Sequence, residues 1–415
     1  MKPRFAQIRI PASLIAIAIL AYACFWTLRL GYADLLVHTD SPENASRAVE
    51  LVAGNARYRA HWAAMLDQSG NNPAGSLSAL EAAVACNPRD SSSWVELGLR
   101  AEVDKDFVRA ERSLLQAARI DRQYDPRWTL VNFYFRQSDV ENFWLWARQA
   151  AVMLYGDAAP LFRLCWRVTQ DPEVILKRAI PDDPKILAQY LGFLLDDNHL
   201  DAVEPVAQRV AEHAGPGDLP ILFTSCDRLL SVRQLPGALR IWNAISRRRL
   251  ISYPALEPDK GLSLTNGDFR ELPLSHGFDW RLHSPEGVSF SQGQSLPLLR
   301  VTFSGKQPES CEILSQSVPL LPGQPYRFRF RYRTSGIAPD TGLRWRIFDF
   351  ATGAELAARS TDMSNEKPTE GDLLFSTPPD TRLARVALTY QRTLGTTRIE
   401  GSVLLIHTSL EFALP

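Results

Sequence analysis

The hydrophobic period of this chain changes once, and the change limits what each part can fold into. Through residues 57–251, apolar side chains recur at three- and four-residue intervals, which places them on one face of an α-helix. At 252–261 the pattern ends in turn formers, among them Pro254, Pro258 and Gly261. From Leu262 onward the period is two. Tyr326, Phe328, Phe330 and Tyr332 alternate with Arg327, Arg329, Arg331 and Arg333, and Leu343, Trp345 and Ile347 alternate with Arg344 and Arg346. Leu299, Val301 and Phe303 alternate with Arg300 and Thr302; Val386, Leu388 and Tyr390, then Ile399, Val403 and Leu405, supply further apolar faces. Turns at Pro322-Gly323, Ser335-Gly336 and Thr352-Gly353 separate about nine or ten short strands, which predicts an antiparallel β-sandwich over 262–415. The expected fold class is multidomain, α then β.

A third segment precedes these two. Residues 10–28 carry no charge and, as a helix, span about 28 Å, close to a bilayer core of about 30 Å. Ile10, Leu14, Ile15, Ile17, Ile19, Leu20, Phe25 and Leu28 favour insertion by roughly 2 to 5 kcal/mol together. Pro11 sits in the first turn, where a helix tolerates proline. Lys2, Arg4 and Arg9 precede the run, and Asp34 and Glu43 follow it, so residues 1–9 are expected in the cytoplasm and the bulk outside it. A signal anchor is the expectation; Ala21-Tyr22-Ala23 leaves a cleaved signal as the alternative. Residues 29–56 read as a juxtamembrane linker or first helix.

Within 57–251 the clearest signal is a 34-residue period, with Trp94 and Trp128 each a turn into a new helix. Ser93 with Glu96 fits a capping box at the first of these helices. Trp94 and Leu97 face one side of that helix, small Gly98 and Ala110 let two helices approach, and Leu114 and Ala117 continue the buried face of the second. Residues 91–124 resemble a tetratricopeptide repeat (TPR), whose Trp, Leu, Gly, Ala, large apolar and Ala positions fall on Trp94, Leu97, Gly98, Ala110, Leu114 and Ala117. The unit at 57–90 keeps Leu80, Ala83 and Pro88, whereas the unit from 125 keeps Trp128 and then departs, with Asn132 where the small glycine would stand. The span has room for five or six helix pairs, and three or more bury a continuous core. The resemblance implies a curved array that docks a peptide or partner protein rather than one that does chemistry. The aromatic cluster Trp128, Phe133, Tyr134, Phe135, Phe143, Trp144, Trp146 and Trp166 is read as core filling, with a groove hot spot as the alternative.

The β region opens with Leu264-Thr265-Asn266-Gly267-Asp268-Phe269 and Gly277-Phe278-Asp279-Trp280, and later carries Pro322-Gly323-Gln324-Pro325-Tyr326. These residues resemble carbohydrate-binding, galactose-binding-like jelly rolls. Arg270 stands where that family often has an acidic residue beside a structural Ca²⁺, which speaks against a calcium site here, and no metal or cofactor is expected. The resemblance implies a glycan-binding role. The candidate face is formed by Arg327, Arg329, Arg331, Arg333, Arg344 and Arg346, read as lying on two adjacent strands, with Trp280 as the best aromatic platform. Guanidinium groups bind oxyanions bidentately, so the ligand would be an acidic polysaccharide. The competing reading is a solvated face in which each arginine pairs with a carboxylate on a neighbouring strand. Residues 262–415 hold 16 Lys+Arg and 16 Asp+Glu, so such partners exist.

Composition closes off other classes. The whole chain of 415 residues has 46 basic and 46 acidic side chains, which argues against a nucleic-acid binder held by bulk charge. Cys24, Cys86, Cys165, Cys226 and Cys311 show neither a disulfide-scaffold nor a zinc spacing; the last four read as mostly buried, with one long-range disulfide open. The seven histidines form no metal-binding pair, and there is no G-x-S-x-G elbow or phosphate loop. His276 near Asp279 and Asp268 is the nearest approach to an acid–base cluster, and no catalytic residue is expected. The combined architecture resembles membrane-anchored TPR proteins associated with bacterial exopolysaccharide or O-antigen assembly. That implies a non-catalytic inner-membrane scaffold facing the periplasm. A pure protein–protein adaptor and a glycan-processing enzyme are the alternatives.

Overall fold

The computed structural model describes residues 6–39, 41–70, 72–293, 297–357 and 362–413, with the side chains of 6–13 excepted. Lys2 and Arg4, and the Arg9 side chain, lie outside the described residues. Fourteen α-helices precede nine strands among the described residues. The chain divides into two compact units, residues 1–181 and 182–415, and the division falls between the tenth and eleventh helices, inside the repeat span.

The first unit starts with α1 (Ala6–Val37), whose stretch Leu14–Val37 is apolar and long enough to cross a membrane. This helix does not stop at Leu28. Its last turns bury Ala33 and Leu36 against Ala48, Val49 and Tyr58, so α2 (Pro42–Leu51) packs directly on it. Arg29 reaches from α1 to the C-terminal end of α2 and donates its Nε–H to the Leu51 carbonyl at 2.6 Å. That caps a helix end whose carbonyls lack partners of their own.

Helix pairs α3/α4 (Ala56–Ser69, Pro73–Cys86), α5/α6 (Ser91–Val103, Phe107–Ile120) and α7/α8 (Tyr124–Gln137, Val140–Val152) follow, each pair packed side by side. The short α9 (Ala159–Val168) and α10 (Pro172–Arg178) close the unit. The Gly98 position behaves as its spacing predicts. A Cβ there would lie 2.6 Å from Leu114 Cδ2 and 3.2 Å from the Ala110 carbonyl, so only glycine lets α5 and α6 meet at this point. Leu97, Ala110, Leu114 and Ala117 are buried. Trp94 is half-buried and donates its indole N–H to the Pro88 carbonyl at 3.0 Å.

The capping box at Ser93 is not formed. Asp90 is the N-cap of α5, and Ser93, inside the first turn and buried, donates its hydroxyl to the Asp90 carboxylate. Of the aromatic cluster, Phe133, Tyr134, Phe143, Trp144 and Trp166 are buried, while Trp128, Phe135 and Trp146 are half-buried. Trp128 stacks on Tyr124 at 6.0 Å. All five cysteines are free, and Cys86 is exposed rather than buried. Burial holds the Cys165 thiol up at about 12, and with it the group stays protonated and inert.

The second unit joins α11 (Pro184–Asp196), α12 (Val203–His213), α13 (Leu219–Ser231) and α14 (Leu235–Arg247) to a sandwich of two antiparallel sheets. The four-stranded sheet has the order β1-β4-β8-β6, with β1 Arg281–Leu282, β4 Ser310–Pro319, β8 Leu383–Gln391 and β6 Leu343–Asp349. The five-stranded sheet has the order β2-β3-β9-β5-β7, with β2 Val288–Gln292, β3 Leu299–Ser304, β9 Glu400–Phe412, β5 Pro325–Ser335 and β7 Thr369–Ser376. Between the sheets lie the inward rows of both: Tyr326, Phe328, Phe330 and Tyr332 from β5, and Leu343, Trp345 and Ile347 from β6. Trp345 sits 5.2 Å from Phe328 and 5.6 Å from Trp280, ring centre to ring centre.

The loop before β1 is locked to α13 and α14. Asp227 of α13 accepts from the Gly277 backbone N–H at 2.8 Å, from His276 Nδ1 at 2.7 Å and from the Arg281 guanidinium at 2.5 Å. Phe223 stacks on the His276 ring at 5.4 Å. Gly277 adopts φ +55° with the Trp242 ring directly against its Cα, so a side chain has neither the conformation nor the room. Asp279 is fully buried and accepts from the Tyr253 hydroxyl at 2.9 Å and the Leu274 backbone N–H at 2.7 Å. Burial pushes the Asp279 carboxyl above the usual carboxylate range, against the pull of those hydrogen bonds.

Candidate functional site: the outer face of the five-stranded sheet

Strand β5 runs between β7 and β9, and its alternation sends Arg327, Arg329, Arg331 and Arg333 to the solvent side. Register fixes what each arginine faces. Arg327 lies between Leu374 of β7 and Glu411 of β9, Arg329 between Asp372 and Ser409, and Arg331 between Glu370 and His407. The β5–β9 register then shifts between Arg331 and Tyr332, and Arg333 comes opposite Leu404. The three rows around Arg327, Arg329 and Arg331 line a depression of about 440 Å³, floored by Phe330 and Gly371.

Gly371 is required where it stands, because a Cβ would fall 2.5 Å from the Phe330 ring on the inner side. The depression therefore alternates guanidinium donors with carboxylate acceptors, and carries no aromatic platform on its outer side among the described residues.

The pairing on this face is loose. Arg327 Nε lies 3.5 Å from Asp372, and Arg329 lies 3.9 Å from Glu411, with all four side chains about a third to a half exposed. Exposed pairs of this kind contribute about 0.2–1 kcal/mol, so a ligand that offers its own hydrogen bonds displaces them at little cost. Arg331 and Arg333 have no ion pair among the described residues.

The other two predicted arginines are elsewhere. β5 and β6 follow one another in the chain but belong to different sheets, so Arg344 and Arg346 face solvent from the opposite side of the sandwich. The expectation of six arginines on two adjacent strands is corrected: alternation along a strand fixes which face a side chain takes, not which sheet the strand joins. Arg346 is held by Glu355 through two hydrogen bonds of 3.0 and 2.6 Å and lies 4.8 Å over the Phe348 ring. Arg344 lies 3.4 Å from Asp362. Trp280 is also corrected. It is fully buried, packs on Phe269 and Trp345, and donates its indole N–H to the Asn266 carbonyl at 3.1 Å, so it is no platform for a sugar.

His276, Asp279 and Asp268, the nearest approach to an acid–base cluster in the sequence, each turn to a different partner. His276 turns to Asp227, Asp279 to Tyr253, and Asp268 to Arg270 at 3.1 Å. The last contact pairs Asp268 with an exposed guanidinium. The residues the sequence reading missed are Glu370, Asp372, His407, Ser409 and Glu411. Each lies on the polar phase of an alternating strand, the same signal that marked the arginines, but their pairing across strands is not written in either strand alone.

In the first unit, a shallow depression of about 440 Å³ on α5 is lined by Leu99, Arg100 and Val103, with Leu80 of α4. Leu99 is 38% exposed and Val103 70%, so this part of the array presents apolar surface to solvent.

No family model matches this chain, and no curated protein matches it. Among solved structures it is similar to a CBM4 carbohydrate-binding module, at 12% identity and TM-score 0.29, over 36% of this chain and all of that one. It is similar to YrrB, a TPR protein with an unusual peptide-binding site, at 15% identity and TM-score 0.24, over 49% of this chain and 92% of that one. It is also similar to Pseudomonas aeruginosa PilF, at 16% identity and TM-score 0.22, over 55% of this chain and 91% of that one.

Proposed function

We propose that this chain is a membrane-anchored, non-catalytic scaffold that docks a partner protein or peptide through its helical array and holds a glycan on the outer face of the five-stranded sheet. The observation that carries it is the depression over Arg327, Arg329 and Arg331, where donors and acceptors alternate in register and are only loosely committed to each other. Vicinal hydroxyl groups donate and accept at once, and such a surface answers both needs. Helix α1 anchors the chain, with its N-terminus in the cytoplasm and the bulk in the periplasm, and the setting is assembly or export of cell-surface polysaccharide. The apolar surface around Leu99 and Val103 supports the docking role.

Full-length protein in detergent, applied to a glycan array, should give hits that weaken with salt and disappear in Arg329→Ala plus Arg331→Ala. Unchanged hits in that double variant would refute the face. A reporter fused to the C-terminus that works only in the cytoplasm would refute the topology. The second reading, a protein–protein adaptor without sugar binding, is favoured by the one-for-one matching of Arg327 and Arg329 with carboxylates, and predicts no hits on the array.

A further inference from the structure

The outer face of the five-stranded sheet is not uniform in charge. At the end of β5 near Pro325, every arginine has an acid within reach: Arg327 has Asp372, and Arg329 has Glu411. Glu370 stands opposite Arg331 without closing an ion pair. Beyond the register shift no acid stands opposite an arginine in the strand pairing; Glu400 lies further along β9, opposite Ser304, and Glu366 follows Asn365, whose carbonyl accepts from the Thr334 backbone. Arg333 of β5 and Arg300 of β3 both pair with Leu404 of β9, one from each side, and Ser291 of β2 completes the row. The next row holds Ser335, Ser402, Thr302 and Ser289. Arg300, Arg331 and Arg333 are all exposed, and none has an ion pair among the described residues.

Strand spacing puts the Arg300 and Arg333 backbones about 10 Å apart across β9, and Arg331 about 7 Å from Arg333 along β5. These separations are within the reach of long side chains to one group standing over Leu404.

We propose that Arg300, Arg331 and Arg333 form an anion subsite that takes a single carboxylate of a glycan, while the balanced rows around Arg327 and Arg329 take its neutral, hydroxyl-bearing sugars. This rests on the glycan-binding reading of the face and names its ligand class: a polysaccharide whose acidic residues are spaced, such as one containing uronic acid. A polyanion charged at every sugar fits poorly. It would lay negative charge over Asp372 and Glu411 at the other end, where like charges oppose binding. Arg300 belongs to the subsite although it lies on a third strand, far from the β5 ladder in sequence.

The test uses full-length protein in detergent, titrated calorimetrically with an oligogalacturonide in which alternate carboxyls are reduced, with the fully reduced oligosaccharide, and with a heparin fragment of equal length. The partly reduced oligosaccharide should bind tightest. Arg300→Gln and Arg333→Gln should each weaken it about tenfold and leave the fully reduced one unchanged, because each removes a charge-assisted hydrogen bond to the carboxylate alone. Arg329→Ala should weaken both. All three positions are exposed, and unchanged circular dichroism confirms folding of each variant. If Arg300→Gln and Arg333→Gln leave the partly reduced ligand within twofold while Arg329→Ala weakens it, the subsite is wrong and the glycan face stands. If heparin binds tightest, the spaced-charge assignment is wrong. Binding of inorganic sulfate with no oligosaccharide bound would make it a free-anion site and overturn the proposal. If none of the oligosaccharides or sulfate binds, the subsite and the glycan-binding reading both fall.

Discussion

Gly277→Ala is expected to destabilise the second unit well beyond the ordinary cost of a lost glycine. Two effects add. At φ +55° an alanine pays for a left-handed backbone, roughly 1 kcal/mol. Its Cβ would also lie 2.5 and 2.6 Å from two ring carbons of Trp242, which is fully buried between Phe223, Tyr253 and Phe278 and has nowhere to move. Overpacking of that kind costs about 1–3 kcal/mol. The sum is about 2–4 kcal/mol, or about 4–16 °C in midpoint for a unit of this size. Gly305→Ala is the control. Gly305 has φ +76° and nothing within 4 Å of its would-be Cβ, so it should show the backbone effect alone, about 1 kcal/mol. Thermal and urea unfolding of full-length protein, followed by tryptophan fluorescence, separates the two. Trp242→Phe should relieve part of the Gly277→Ala loss, a coupling expected of groups in contact. Equal shifts for the two glycine variants, or strict additivity with Trp242→Phe, would refute the view that α14 is packed rigidly on the loop before β1.

Further outcomes follow from particular residues. Asp349 ends β6 at the start of a tight turn. Burial raises its pKa, but hydrogen bonds from Thr381, Thr352 and the Ala351 backbone outweigh that, and its carboxyl ends below the ordinary 3.8. A depressed carboxylate contributes stability that is full above its unfolded value and is lost as pH falls through its folded one. Asp349→Asn should therefore cost about 1.5–3 kcal/mol at pH 7, and the gap to wild type should close below pH 3.8 in urea titrations. A gap that is constant with pH would contradict the assignment. Gly98→Val should lower the stability of the first unit by about 1–3 kcal/mol, since it drives α5 away from Leu114 and Ala110. A neutral effect in far-ultraviolet thermal melts would mean that this contact is not close-packed.

Much of the fold is legible in the sequence because periodicity is a local signal. The alternation along β5 and β6 correctly sends Tyr326, Phe328, Phe330, Trp345 and Ile347 inward and their arginines outward. The Trp94–Gly98–Ala110–Leu114 spacing correctly marks a close helix pair. What failed depends on partners distant in the chain. Nothing in residues 336–342 announces that the chain crosses from one sheet to the other, so alternation alone sets Arg344 and Arg346 beside arginines from which the core separates them. Trp280, read as the best platform, is core because Phe269 and Trp345, distant in the chain, pack on it. The helix has its N-cap three residues before Ser93, at Asp90, so Ser93 lies inside the first turn and donates to the Asp90 carboxylate instead of capping. The carboxylates that face the β5 arginines, and Arg300 on β3, share one face only through the order β3-β9-β5-β7.

The most direct measurement is hydrogen exchange of the full-length protein with and without the partly reduced oligogalacturonide. Glycan bound on the five-stranded face should slow exchange in Pro325–Ser335, Thr369–Ser376 and Glu400–Phe412, and leave Leu343–Asp349 unchanged. Protection confined to Leu343–Asp349 or to the helices would place the ligand elsewhere and contradict the assignment.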